Sequence, residues 1–147
     1  MSDNDLIKLY SGRILQLAAS IPHLGRLPAP GATARKRSPI CGSTVTVDLV
    51  MRDGRVAEFA QDVKACALGQ ASAAVMGAVV IGRSRAELEA ARAALSAMLK
   101  EEGPVPPAPF DGYEVLLPAR DYRNRHASIL LALEAACAAA AEAEAAA

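Results

Sequence analysis

Two of the three cysteines stand among small residues, Cys41 in Ser38-Pro39-Ile40-Cys41-Gly42-Ser43 and Cys66 in Lys64-Ala65-Cys66-Ala67-Leu68-Gly69-Gln70-Ala71-Ser72. Small neighbours keep a sulfur accessible and let a bulky ligand or partner approach. The thiolate is the nucleophile and the metal ligand. Cys66 precedes a predicted helix, where free N–H groups and the helix dipole favour the thiolate. Taken singly, either cysteine reads first as a small buried hydrophobe. Arg35-Lys36-Arg37 lies just before Cys41 and reads as a solvated edge blunted by charge, or as a dock for an acidic partner. Arg120, Arg123 and Arg125 crowd the stretch before His126 and carry the same two readings. His126 by itself reads as a polar cap at a helix start. There is no P-loop, no paired-carboxylate motif and no dinucleotide fingerprint.

The elements that must position these groups are legible in the pattern. Leu6, Tyr10, Ile14, Leu17 and Ile21 predict a helix over about Asp5 to Ser20. Pro22, Gly25, Pro28, Pro30 and Gly31 then break regular structure. Val45, Val47, Leu49 and Met51 alternate with Thr44, Thr46 and Asp48, the signature of a half-buried strand. Asp53-Gly54 marks a turn, and a second strand runs from about Arg55 to Lys64 with Ala57, Phe59 and Val63 on its apolar face. Leu68 to Ile81 reads as a helix stopped by Gly82. Ser84-Arg85-Ala86-Glu87 is a capping box opening a helix with Leu88, Ala91, Leu95 and Met98 inward. Gly103 to Pro109 reads as a stiff loop. The final helix is expected from near Arg125 through Leu130, Leu133 and Cys137. Its alanine-rich end, 138–147, is expected to fray because little there can pack.

The register of the strand pair bears on the cysteines. A plain two-residue turn at Asp53-Gly54 sets Leu49 opposite Glu58 and turns a carboxylate inward, which is costly. A three-residue loop over Arg52-Asp53-Gly54 sets Leu49 opposite Ala57 and Val47 opposite Phe59, so both apolar sets share a face. Extended, that pairing puts Cys41 opposite Ala65, next to Cys66. Adjacent strands lie about 4.8 Å apart, so the two thiols are expected to be neighbours. The element order predicts an α+β fold, a small antiparallel sheet of about three strands with helices on one face.

The whole chain bounds the function. Its 147 residues suit a single domain spanning 1–147. With 16 basic and 16 acidic side chains the net charge is zero, which argues against a general nucleic-acid binder. The longest apolar stretch, Ala73 to Ile81, is too short for a membrane span, and the acidic start Met1-Ser2-Asp3-Asn4-Asp5 lacks the features of a secretory signal. A cytoplasmic location is expected, and with it reduced cysteines read as thiols or ligands.

Several of these segments resemble the NifU N-terminal family of iron–sulfur assembly scaffolds, which includes IscU and SufU. The resemblance is carried by Leu9-Tyr10-Ser11, the Pro-Gly segment after it, Cys41-Gly42 before the strand pair, and Asp62-Val63-Lys64-Ala65-Cys66-Ala67-Leu68. Leu117-Pro118-Ala119-Arg120 leading to Arg125-His126-Ala127-Ser128-Ile129-Leu130 is similar to the family's third motif. The resemblance implies the α+β fold reached above and a binding protein rather than an enzyme. Such a protein receives persulfide sulfur from a cysteine desulfurase together with iron, builds a cluster on three cysteines and passes it to acceptor proteins. Zinc also suits such soft thiolate sites.

Two departures from the family pattern stand out. The third cysteine falls at Ala127, and the aspartate that usually follows the first Cys-Gly falls at Ser43. Cys137, about 15 Å further along the helix, does not replace the missing thiol. The resemblance thus implies Cys41, Cys66 and His126 as metal ligands, with Cys41 and Cys66 as sulfur acceptors. A second chain or a small thiol would complete a cluster's shell. Arg35, Lys36, Arg37, Arg120 and Arg125 are the partner-docking candidates. A zinc-bound persulfide relay, a metal-free regulatory member and a Cys–His thiol enzyme stay open beside the scaffold reading.

Overall fold

The computed structural model describes residues 9–146. Ser11 N-caps a short helix α1 (Gly12–Ala18), accepting from the Ile14 N–H at 3.3 Å. The helix expected over Asp5 to Ser20 is therefore interrupted at Ser11, and the part before residue 9 lies outside the described residues. Three strands follow, β1 (Ala32–Arg37), β2 (Thr44–Arg52) and β3 (Arg55–Lys64), forming an antiparallel sheet in the order β1-β2-β3. Four further segments complete the chain: α2 (Ala67–Gly77), α3 (Arg85–Lys100), a 3₁₀ segment (Phe110–Asp121) and α4 (Arg123–Ala146). The arrangement is the expected α+β fold.

The β2–β3 register corrects the expected one by two residues. Leu49 pairs with Phe59, Val47 with Gln61 and Val45 with Val63. The turn is the two-residue one after all, with Asp53 and Gly54 both at positive φ, the backbone a tight hairpin of right-handed twist demands. The inward carboxylate is avoided by a bulge, since Val50 pairs with Glu58 and Met51 with Val56, skipping Ala57. The extra residue flips β3's later residues to the other face. Glu58 points outward and meets Arg52 at 2.6 Å, while Phe59 stays buried opposite Leu49.

Helix α4 lies along the inner face of β1 and β2 and against α2 and α3. Val45, Val47 and Leu49 face it and are sealed from solvent. Helix α3 opens with the expected capping box at Ser84 and Glu87 and buries Leu88, Ala91, Leu95 and Met98. Helix α2 ends at Gly77, four residues earlier than expected. Helix α4 is helical to Ala146, where fraying was expected from residue 138; Ala139 and Ala140 are fully buried and 144–146 exposed. Alanine is small enough to bring the helix close to its neighbours, and Arg85 reaches Glu144 at 3.1 Å.

The Pro-Gly segment does more than connect. Gly25 N–H donates to the Gln61 carbonyl at 2.8 Å and Gln61 N–H to the His23 carbonyl at 2.9 Å, so the segment covers the free edge of β3. It then crosses the outer face of the sheet. There Asp48, expected to face solvent with Thr44 and Thr46, is completely buried. Its carboxylate accepts from Arg26 at 2.6 and 3.0 Å, from the Leu27 N–H at 3.0 Å and from the Thr33 hydroxyl at 2.6 Å. The Arg26 guanidinium holds the Asp48 carboxyl below the usual carboxylate range. No helix among the described residues is long and apolar enough to cross a membrane.

Candidate functional site

Both sulfur atoms arise at chain reversals on one end of the sheet. Cys41 stands in the β1–β2 connection, which two backbone bonds close: Ser38 N–H to the Ser43 carbonyl at 2.8 Å and Gly42 N–H to the Ser38 carbonyl at 2.9 Å. Pairing stops at Thr44 with Lys64, so Cys41 is no longer a ladder residue and is exposed. Cys66 follows β3 directly and is the N-cap of α2, half-buried and without a side-chain cap bond. The neighbourhood of the two thiols survives the register correction because both depart from the same end of the β2–β3 pair.

What joins them is a pair of hydroxyls. Cys41 Sγ lies 3.0 Å from Ser43 Oγ, Ser43 Oγ 3.2 Å from Ser128 Oγ, and Ser128 Oγ 3.5 Å from Cys66 Sγ. Ser43 and Ser128 are both buried. Ser38 is buried too, and its Oγ has no other hydrogen-bond partner, leaving its hydroxyl free to turn to the sulfur. The Ser38 hydroxyl first, then the Ser43 hydroxyl and backbone, hold the Cys41 thiol down from its usual 9.0 to about 7. Hydrogen bonds given to a charged form stabilise it, so Cys41 is substantially thiolate at neutral pH. That makes it a nucleophile or soft ligand.

A nitrogen-fixing NifU-like protein (N-terminal) from Brucella abortus has the same fold, with a TM-score of 0.94 and 48% identity over 97% of this chain and 99% of that one. This chain belongs to the NifU-like N-terminal family. A candidate iron–sulfur cluster assembly scaffold protein for the SUF system from Fervidobacterium islandicum AW-1 shares the fold at TM-score 0.80 and 18% identity, covering 91% of this chain and 98% of that one. A hypothetical protein does so at TM-score 0.79 and 23% identity, over 92% and 98%. No family model matches the chain, and no curated protein does.

Within this NifU-like domain the other expected residues are placed differently. The carbonyls of Ala119 and Arg120 each lie 3.0 Å from His126 Nε2. Carbonyls only accept, so Nε2 carries the proton and is spent on the 3₁₀ segment. Among the described residues no three His, Cys, Asp or Glu side chains gather into a metal-holding group. Arg120 is also engaged internally, donating to the Met98 carbonyl at 2.8 Å and the Gly103 carbonyl at 2.9 Å. Arg35, Lys36 and Arg37 lie exposed on β1, beside the Cys41 loop, and Arg125 is half-buried at the start of α4.

Sequence reasoning missed Ser128. The resemblance drew attention to Ala127, yet the next residue is the one that meets Cys66. Ser128 stands immediately before the apolar run Ile129-Leu130-Leu131, and no spacing pattern singles it out. Ala127 instead lines a groove of about 740 Å³ with Ile40, Leu99, Glu101, Arg120 and His126. Cys137 is buried in α4, and burial, with Glu89 nearby, pushes its thiol up to about 12.

Proposed function

We propose that the protein is a scaffold or carrier in iron–sulfur cluster assembly that accepts sulfur through Cys41 and Cys66. The carrying observation is the unbroken chain of contacts from Cys41 through Ser43 and Ser128 to Cys66. Family membership and the assembly role in the name of the Fervidobacterium protein support the reading.

The chemistry follows from the thiolate. A cysteine desulfurase presents a persulfide, and the Cys41 thiolate attacks its terminal sulfur. A new sulfur–sulfur bond forms on Cys41, the donor's bond breaks, and the donor cysteine leaves as thiolate. The low thiol pKa supplies the attacking anion at neutral pH. Exposed Ile40, adjacent to Cys41, and the cations of β1 offer a partner an apolar and a basic contact beside the nucleophile. Iron or a nascent cluster is the cargo. Cys41 and Cys66 supply two soft ligands, and a second chain or a small thiol supplies the others.

Anaerobic reconstitution with iron and sulfide tests the scaffold reading. Wild type is expected to give a coloured species that the Cys41→Ala/Cys66→Ala variant does not. Identical behaviour of the two ends the proposal. The persulfide relay with zinc is the second reading, favoured by the gathering of two thiols without a third. Zinc surviving purification without added metal, together with faster desulfurase turnover, would select it.

A further inference from the structure

We propose that the groove beside Cys41 binds a small thiol of the amino-acid or short-peptide class, whose sulfur serves as the third soft donor of the two-thiol site. The inference rests on the sulfur- and metal-handling reading above and names the outside ligand which that reading requires. Iron and zinc take three or four protein-type donors and prefer thiolate to water or hydroxyl. Among the described residues no third His, Cys, Asp or Glu gathers with Cys41 and Cys66. The groove is placed to supply the missing donor. Its wall includes Ile40, the residue before Cys41, and Ala127, the residue before the Ser128 that meets Cys66. It therefore adjoins the segments that carry or touch both sulfurs. Ala127 brings only a methyl group, at the position where the resemblance sets the absent thiol.

The charges around the groove select the kind of thiol. Its volume of about 740 Å³ suits a small molecule, whose sites span about 300–1,000 Å³. Lys100 ends α3, Glu101 and Glu102 follow it, Asp121 ends the 3₁₀ segment and Arg123 opens α4. All five are exposed, and among the described residues none of their side chains makes an ion pair or hydrogen bond. Unpaired charges of both signs around one groove suit a zwitterion, with its carboxylates toward Lys100 and Arg123 and its ammonium toward the acids. Free cysteine and a cysteine-containing tripeptide such as glutathione share that chemistry, and either brings its own sulfur. On metal binding the small thiol releases its proton to solvent and donates a sulfur lone pair, with no transfer of electrons. The cargo is then held by two fixed thiolates and one exchangeable one, and departure of the small thiol loosens it.

Native mass spectrometry of the full chain with zinc and either reduced glutathione or cysteine tests the proposal. Wild type is expected to carry one zinc and one small thiol per chain, and the probe that gives this ternary species identifies the source. S-methylglutathione, which keeps the charges but offers no thiolate, is expected not to retain zinc. Ala127→Cys is expected to hold zinc with no added thiol. Lys100→Glu/Arg123→Glu changes only exposed side chains, and its fold is checked by far-ultraviolet circular dichroism. It is expected to need at least about tenfold more of the same thiol, the effect of losing one charged hydrogen bond. Absence of the ternary species with both thiols overturns the proposal. So does its equal formation in the charge-reversed variant, or one zinc shared by two chains with no small thiol bound. The charge-reversed variant alone decides if Ala127→Cys fails to fold. Persulfide loading from a desulfurase is measured separately, without added thiol. A wild type that takes no sulfur yet forms the ternary species defeats the functional reading and supports this one, and loading without the ternary species does the reverse.

Discussion

Cys41 and Cys137 are the same residue type in one small domain, and their surroundings drive them in opposite directions. Cys41 sits in an exposed connection ringed by serine hydroxyls and is held to about 7. Cys137 sits in the wall of α4 among leucines and alanines, and burial lifts it to about 12. The contrast ties thiol acidity to the chain reversal and its hydroxyls. A thiol in the helical core is packing material. Cys66, at the junction of β3 and α2, belongs with Cys41 through Ser128.

The sharpest way to break the comparison is alkylation at pH 7 followed by peptide mass spectrometry. The two pKa values favour Cys41 in thiolate fraction by more than about 10⁴-fold, and the lower nucleophilicity of the more acidic thiol returns about 10²-fold. Burial of Cys137 widens the gap again. Cys41 is therefore expected to react at least about a hundredfold faster. Its rate should fall as pH drops through about 7, where the thiolate is protonated. Comparable rates would remove the distinction.

The core side of the contrast is tested at Ala139, two residues beyond Cys137 in α4 and fully buried. Ala139→Asp places an unpaired carboxylate in that wall and is expected to cost about 3 kcal/mol or more in denaturant unfolding. An unchanged midpoint would mean that the end of α4 is not docked. The smallest expected effect sharpens the site side. Ser43→Ala removes one hydroxyl from Cys41, so the midpoint of its alkylation profile should move up from about 7 toward the ordinary thiol range. The Cys137 profile should not move.

Much of the fold was legible because the pattern and the turn chemistry agreed. The alternation over Val45 to Met51, Asp53-Gly54 and the capping box at Ser84 each led to the element observed. The register was missed by two residues because a bulge at Val50/Met51 is invisible in composition: it satisfies the two-residue turn and the inward Phe59 together. Asp48 read as solvent-facing because the strand pattern says nothing of the segment that returns over it to place Arg26 and Leu27 on its carboxylate. In the alanine tail, where fraying was expected from residue 138, Ala139 and Ala140 are buried and 144–146 are exposed. Low side-chain volume argues against packing in isolation, yet it suits close approach once α2, α3 and the sheet provide surfaces.

The placing of Cys41 and Cys66 at one end of the sheet was legible in the strand and turn pattern. The expected third member, His126, lies one residue from the Ala127 position, and its Nε2 is held by carbonyls of the 3₁₀ segment. Ser128 was not singled out, because a serine inside a helix has no spacing signature. Only the approach of α4 to Cys66, made possible at Gly69, gives it a role.

The central claim is that Cys41 and Cys66 form one sulfur-handling site to which Cys137 does not belong. Incubation with a cysteine desulfurase and isotopically labelled cysteine, followed by mapping of persulfides on each cysteine peptide, tests it directly. The account predicts labelled sulfur on Cys41, with or without Cys66, none on Cys137, and complete loss in Cys41→Ala/Cys66→Ala. Label on Cys137, or equal loading of wild type and the double variant, would contradict it.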